Sequence, residues 1–270
     1  MVQKHNGKIA LITGANKGIG CEVARQLGAQ GITVLVGARN PQLGEAAAAK
    51  LNADGAEAHF IALDVTKPDS ITKAAERIRA QYGRLDILVN NAGVVAKGDG
   101  PPSVANPDAV REVLEINFFG VLAVTQAMLP LVRNAASGRI VIVSSGLGSL
   151  TWNADPSWPF AAIKPLGYNG SKAIVNMMPR LGVSSRPGEL FPGKSSSCQR
   201  VGPRISRAIR SAQPTNRSRA AACANARKSR SLEISKTLAS MQLCAISASP
   251  SRAFRFCART RARSLPARCQ

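Results

Sequence analysis

The chain has 270 residues, of which 45% are hydrophobic, enough for one large domain or two small ones. Its formal net charge of +21 is uneven, because residues 180–270 hold 19 of the 36 Lys and Arg residues and only two acidic ones. Five of the six cysteines lie in that same segment at wide, irregular spacings, which argues against a zinc site or a disulfide framework.

No apolar run reaches the roughly 18 residues that a membrane-spanning helix needs. The first residues, Met1-Val2-Gln3-Lys4-His5, have no signal-peptide pattern. We therefore expect a cytoplasmic protein with no membrane partner. The sequence leaves open whether it is a monomer or a homo-oligomer.

A phosphate-binding unit is predicted at the start of the chain. An apolar run at 8–13 predicts a buried strand, and it leads into the turn Gly14-Ala15-Asn16-Lys17-Gly18-Ile19-Gly20. The amphipathic stretch 19–30 then predicts a helix. Glycines permit a tight turn and let the backbone approach a pyrophosphate, which binds at the positive N-terminus of the helix.

The end of the second predicted strand, 33–37, indicates which dinucleotide would bind. An acidic residue there would bond the ribose 2′-hydroxyl of NAD. This chain has Arg39 instead, and Lys17 lies in the glycine turn. Two cations suit a 2′-phosphate, so the pattern favours NADP; the alternative is that both are solvated surface charges.

The following segments alternate strictly between strands and helices. Apolar runs at 58–63 and 85–89 predict strands, and 68–81 predicts an amphipathic helix between them. Such alternation predicts parallel βαβ units with right-handed crossovers. We therefore predict a doubly wound parallel α/β sheet, the Rossmann fold. A helix at 108–133 and a fifth strand at 138–143 extend it.

A tyrosine and a lysine, Tyr168 and Lys172, stand four residues apart where a further helix is predicted. Residues at i and i+4 share one helical face. The ammonium would then favour the phenolate and lower the pKa of the phenol from about 10 towards neutrality. A phenol with such a pKa can exchange protons with a substrate.

Three motifs in this order resemble the short-chain dehydrogenase/reductase family. They are Thr13-Gly14-x-x-x-Gly18-x-Gly20, then Asn90-Asn91-Ala92-Gly93, then Tyr168-x-x-x-Lys172. The resemblance implies that Asp64 and Val65 contact the adenine ring. It also implies that Asn91, Ala92 and Gly93 support the central strand and the cofactor.

The same resemblance implies a catalytic set of four residues. Tyr168 would be the proton donor, and Lys172 would tune it and hold the ribose. Asn117 matches the asparagine that holds a water linking the lysine to solvent. The serine that polarises the carbonyl lies at the end of the fifth strand; by register we assign it to Ser145, with its neighbour Ser144 as the alternative.

The segment between Ser145 and Tyr168 is about ten residues longer than in many members of the family. It contains Trp152, Trp158 and Phe160 and resembles the extra segment of the carbonyl-reductase-like branch, which covers the substrate site. The resemblance also implies that such a segment blocks the usual contact between helices in oligomers. The aromatic residues would either wall an apolar substrate pocket or simply pack the segment onto the sheet.

The family pattern stops near residue 178. Pro179 is expected to interrupt the helix, and no period of 2 or 3.6 predicts the sixth and seventh strands of the family. We therefore divide the chain into an NADP-binding domain, 1–182, and a basic Arg- and Ser-rich segment, 183–270. Either that segment is a disordered tail for nucleic acid or an anionic surface, or it is read in a shifted frame. We favour the shifted frame, which makes a nucleic-acid partner unlikely.

The sequence thus predicts an NADPH-dependent oxidoreductase that reduces a ketone, aldehyde or quinone to an alcohol. Two alternatives stay open. One is a damaged relative that at most binds cofactor, and the other is a fusion whose basic tail binds nucleic acid.

Overall fold

A parallel β-sheet forms the centre of the molecule in the computed structural model, which describes residues 7–181 and 241–247. Five parallel strands lie in the order β3-β2-β1-β4-β5. Their bounds are β1 Ile9–Thr13, β2 Thr33–Ala38, β3 Ala58–Ala62, β4 Ile87–Asn90 and β5 Arg139–Ser145. This order confirms the predicted doubly wound α/β fold.

Helices cover both faces of the sheet. They are α1 Gly18–Gly28, α2 Pro41–Ala53, α3 Pro68–Tyr82, α4 Pro107–Leu114, α5 Gly120–Arg133, α6 Leu150–Ala154 and α7 Leu166–Leu181. Successive residues of β1 point to opposite faces: Leu11 packs with α3 and α5, and Ile12 packs with α1 and α2. Strands β1 and β2, which are buried along their whole length, therefore need apolar residues on both faces, which explains their apolar runs.

Three helices differ from the sequence prediction. Helix α2 was not located, although Asn40 caps it and Pro41 occupies its first turn, both of which favour a helix start. The predicted helix 108–133 is interrupted by a π-helical turn, Glu115–Phe119. Helix α7 includes Pro179, where an interruption was predicted, and ends two residues beyond it at Leu181.

The helical stretch Pro107–Arg133 is long and apolar enough to span a membrane by length and composition. In this molecule Val124, Met128 and Leu131 are fully buried in the core beneath the sheet. The stretch is therefore accounted for as a core helix. The cytoplasmic location stays a prediction.

A sixth strand, β6 (Met241–Ser247), pairs antiparallel with β5. The sequence analysis predicted no strand in this region, and that prediction is wrong for these seven residues. They contain no charge, proline or glycine, so they can pair with the backbone groups that β5 offers at the sheet edge. Residues 182–240 and 248–270 lie outside the described residues, and the division at 182/183 and the shifted frame stay predictions.

Candidate active site

The predicted site residues gather at the carboxyl ends of the parallel strands. The glycine turn follows β1, Arg39 follows β2, Asn91 follows β4, and Ser144 and Ser145 end β5. Open α/β sheets bind ligands at this edge. The fold thus brings together residues more than 150 positions apart in the chain.

The glycine turn leaves the N-terminus of α1 open. Gly14 and Gly18 have φ angles of 64° and 60°, which favour glycine. A Cβ added to Gly18 would meet no atom within 4 Å. Lys17 makes no side-chain cap and the first turn of α1 holds no acid, so an anion such as a pyrophosphate fits there.

Asn91 fixes this turn to the end of β4. Its side-chain amide donates to the carbonyl oxygens of Thr13 at 2.8 Å and of Gly14 at 3.2 Å. The Thr13 hydroxyl accepts from the backbone N–H groups of Asn91 and Ala92. A Cβ on Gly20 would come within 2.5 Å of the Asn91 amide, so this approach requires a glycine.

The remaining cofactor candidates line the same edge with differing exposure. Lys17 and Arg39 are exposed, whereas Asn16 and Ile19 are half-buried. The Asp64 carboxylate accepts from the backbone N–H and the hydroxyl of Thr66. Beside it, half-buried Val65 lines a cavity of about 210 Å³ together with Phe119.

Ser145 and Tyr168 contact each other inside the protein. Ser145 is fully buried and Tyr168 is 5% exposed. Burial raises the pKa of Tyr168 above its ordinary value, and a hydrogen bond with the Ser145 side chain offsets part of that rise. The Ser144 hydroxyl instead donates to the carbonyl oxygen of Lys172 at 3.3 Å. Ser145 is thus the serine that contacts the phenol.

Lys172 lies beside the tyrosine on the same face of α7, as its spacing predicted. Its ammonium donates to the carbonyl oxygen of Val143 at 2.9 Å and lies 5.6 Å from the centre of the Tyr168 ring. Burial lowers the pKa of Lys172 to about 8. The predicted lowering of the Tyr168 pKa is wrong, because burial of the phenol outweighs its hydrogen bond with Ser145.

Asn117 is fully buried in the π-helical turn, a feature often found at functional sites. Its Oδ1 accepts from the backbone N–H of Val94 at 2.8 Å, and its Nδ2 donates to the Val94 carbonyl at 2.9 Å. The same Nδ2 donates to the Ser171 hydroxyl at 3.1 Å. A Cβ on Gly93 would lie 3.3 Å from Asn117 Oδ1 and 3.6 Å from Lys172 Nζ, so Gly93 sits between them.

The long segment before Tyr168 places aromatic rings next to the site. The rings of Trp152 and Trp158 are 5.5 Å apart, and those of Trp158 and Phe160 are 5.4 Å apart. Trp158 and Phe160 pack against the cluster that contains Tyr168. Trp152 is 41% exposed, so the aromatic surface reaches from the tyrosine to solvent.

Sequence reasoning missed three contacts of the site. The Thr13 hydroxyl binds the Asn91–Ala92 backbone, the Val143 carbonyl accepts from Lys172, and the Ser171 hydroxyl donates to the Tyr168 carbonyl at 2.8 Å. Thr13 and Ser171 lie inside the motifs, so their positions could have indicated that their hydroxyls contact the site. The Val143 carbonyl is a backbone group, and no side-chain pattern reveals it.

Comparisons with known proteins indicate the family of this chain. A sequence model described as short chain dehydrogenase matches residues 8–180. The short-chain dehydrogenase anuI of Penicillium roqueforti is 37% identical over 177 residues, covering 63% of this chain and 69% of that protein. Salutaridine reductase of Papaver bracteatum is 37% identical over 175 residues, covering 54% of this chain and 56% of that protein.

A solved structure gives the same picture. Gluconate 5-dehydrogenase from Burkholderia cenocepacia, crystallised with NADP and tartrate, superposes with a TM-score of 0.57 at 28% identity. The superposition covers 67% of this chain and 66% of that protein. The chain thus matches between 56% and 69% of the length of these three proteins.

Proposed function

Because the chain belongs to the short-chain dehydrogenase family, we propose that it is an oxidoreductase that uses NADPH to reduce a carbonyl compound to an alcohol. One observation carries the proposal: a buried serine, tyrosine and lysine lie together at the end of β5. On the same edge of the sheet is an uncapped helix N-terminus. The first group can move a proton, and the second can bind an anion.

The cofactor would be held by the exposed edge of the sheet. The pyrophosphate fits at Gly18, where the α1 N-terminus is open. Exposed Lys17 and Arg39 favour a 2′-phosphate and hence NADP. Following the family resemblance, Asp64 and Val65 would contact the adenine. When bound, NADPH supplies the hydride.

The proton comes from this chain. A raised pKa keeps the Tyr168 phenol protonated at neutral pH, the form that can donate to the carbonyl oxygen. Ser145, bonded to the same phenol, would polarise that oxygen. Lys172, with a pKa of about 8, is mostly charged at neutral pH and would stabilise the phenolate left behind.

Asn117 would anchor the relay that returns a proton to Tyr168 after the phenol has donated one. Its carboxamide joins Val94 to Ser171, and Ser171 in turn bonds the backbone of Tyr168. Lys172 lies across Gly93 from Asn117. A water held near Gly93 would connect the lysine to solvent, as the resemblance implies.

The aromatic surface beside the tyrosine favours apolar carbonyl substrates. Trp152, Trp158 and Phe160 offer ring faces on which an apolar ketone, aldehyde or quinone can pack. Salutaridine reductase is among the similar proteins.

Oxidation of NADPH by the full-length protein tests the proposal. We expect absorbance at 340 nm to fall when a panel of aromatic and alicyclic ketones, aldehydes and quinones is added, and NADPH to be used in preference to NADH. Binding of NADPH without turnover on any member of the panel would instead favour the damaged relative. If NADPH is neither oxidised nor bound, the proposed reduction is contradicted, and only a damaged relative without cofactor binding fits.

A further inference from the structure

The N-terminus of α7, the helix that carries Tyr168, is closed by a distant loop. A helix leaves its first four backbone N–H groups without partners inside the helix. Here the N–H groups of Gly167 and Tyr168 donate to the two carboxylate oxygens of Asp99, at 2.8 and 2.9 Å. The N–H of Leu166 donates to the Gly100 carbonyl at 2.9 Å. Three of the four groups are therefore satisfied from 66 to 69 residues away.

The carboxylate of Asp99 packs closely against Gly167. A Cβ added to Gly167 would lie 3.2 and 3.3 Å from the Asp99 oxygens and 3.1 Å from the backbone of Val110. The negative charge of Asp99 also lies at the positive end of the helix, where it stabilises the helix. The carboxylate is thus fitted to this helix end in shape and in charge.

The same loop is bound at its start to Asn117. Both backbone polar groups of Val94 bond the Asn117 carboxamide, and five residues later Asp99 bonds the backbone of Tyr168. Between them the loop is tied by bonds from Asp99 N–H to the Ala96 carbonyl and from Asn106 N–H to the Gly98 carbonyl. The segment 94–100 therefore connects two members of the candidate catalytic set.

We propose that Asp99 is a positioning residue, which fixes the first turn of α7 so that the Tyr168 hydroxyl stays against Ser145. The proposal rests on the proposed carbonyl reduction for its effect on rate. Asp99 touches only the backbone of the helix, so it acts through Tyr168 and takes no proton itself. Its removal should misplace the phenol while leaving the exposed cofactor edge unchanged.

Three full-length variants test this role. Asp99→Ala removes both hydrogen bonds, and Asp99→Asn keeps one accepting oxygen and should be affected less. Asp69→Ala is the matched control, because exposed Asp69 is an acid in the first turn of a different helix, α3. Asp99→Ala should lower kcat by about 10- to 100-fold, with KM and the Kd for NADPH within about threefold of wild type.

Two readouts do not need turnover. Amide hydrogen exchange at Gly167 and Tyr168, followed by NMR, should accelerate about tenfold or more in Asp99→Ala. The chain has two tyrosines, so Tyr82→Phe leaves Tyr168 as the only phenol, and its ultraviolet titration can be followed. In that background Asp99→Ala should lower the measured phenol pKa by about half a unit or more, because burial is the largest cause of its raised pKa and the gain of water outweighs loss of the bond with Ser145.

The outcomes separate the two proposals. If wild type shows no turnover on any carbonyl, the proposed reduction fails, and exchange and titration still decide the role of Asp99. If Asp99→Ala does not fold, a partial acceleration of exchange in Asp99→Asn supports the role, and unchanged exchange there overturns it. Wild-type exchange and titration in Asp99→Ala, or equal effects in Asp69→Ala, would also overturn it.

Discussion

Two of the helix N-termini beside the carboxyl edge of the sheet, those of α1 and α7, differ in how their backbone N–H groups are satisfied. That of α1 has no side-chain cap and no acid in its first turn. That of α7 receives both oxygens of Asp99 and the carbonyl of Gly100. An open N-terminus can bind an anionic ligand, whereas a closed one cannot and instead holds its own side chains in place.

The side chains around the two helix ends follow the same division. Lys17 and Arg39, near α1, are exposed, whereas Ser145 at the end of β5 and Lys172 in α7 are buried and hydrogen-bonded within the protein. A site for a charged ligand must stay accessible to water until the ligand binds. A catalytic group works best when its geometry is fixed beforehand. The four predictions below test this division.

The largest effect is expected from Tyr168→Phe. The substitution removes the transferable proton and keeps the ring, so kcat should fall by about 10²–10⁴-fold, as for loss of a general acid. The Kd for NADPH should stay near the wild-type value, because the cofactor edge is separate. Steady-state assays with fluorescence titration of NADPH check both. Unchanged turnover would contradict the role of Tyr168.

Lys172→Met should change how stability depends on pH. Burial lowers the pKa of Lys172 from 10.5 to about 8, so the folded chain releases this proton at lower pH than the unfolded chain. The cost of burying the charge is complete below a pH of about 8 and fades as pH rises towards 10.5. The free energy of unfolding of wild type, relative to Lys172→Met, should therefore rise by about 3 kcal/mol over that window.

Urea unfolding of both ligand-free proteins at several pH values across the window checks this. The reference to Lys172→Met removes the contributions of all other titrating groups that the two chains share. A difference between the two proteins that does not vary with pH would contradict a strongly lowered pKa.

Arg39→Asp should reverse the cofactor preference at the open edge. A carboxylate after β2 can accept from a ribose hydroxyl and repels a 2′-phosphate. The ratio of kcat/KM for NADPH to that for NADH should fall about tenfold or more, as expected for loss of a hydrogen bond to a charged group. The exchange rates of the Gly167 and Tyr168 amides should not change. Better use of NADH by the unmodified chain would show that Arg39 is only a surface charge.

The smallest effect is expected at a third helix N-terminus, that of α2. The Asn40 side chain accepts from the backbone N–H of Leu43 at 2.9 Å, an ordinary local cap. Asn40→Ala should lower the free energy of unfolding by about 1 kcal/mol, with the NADPH preference retained. Chemical denaturation measures the first quantity and assays with both cofactors measure the second. A loss of cofactor binding larger than the loss of stability would mean that this end also serves the ligand.

Sequence patterns predicted the frame of the fold well, because β1 and β2 are buried on both faces and are therefore largely apolar. They missed α2, whose alanine-rich face gives little contrast between apolar and polar sides. They also missed β6, since its pairing with β5 depends on backbone groups at the sheet edge and not on a side-chain period. The π-helical turn at Asn117 is likewise a backbone feature with no composition of its own.

For the candidate site, the sequence by itself determined which chemical groups are present and on which elements they lie. The glycine turn, Arg39, the paired serines and the Tyr168–Lys172 spacing are all local patterns. Local patterns can be read from the sequence without knowing the fold. Only the tertiary structure decided that Ser145 contacts the phenol, that burial raises the pKa of Tyr168, and that Asp99 closes the end of α7. Those properties depend on desolvation and on hydrogen bonds between residues far apart in the chain, and both arise only when the chain folds.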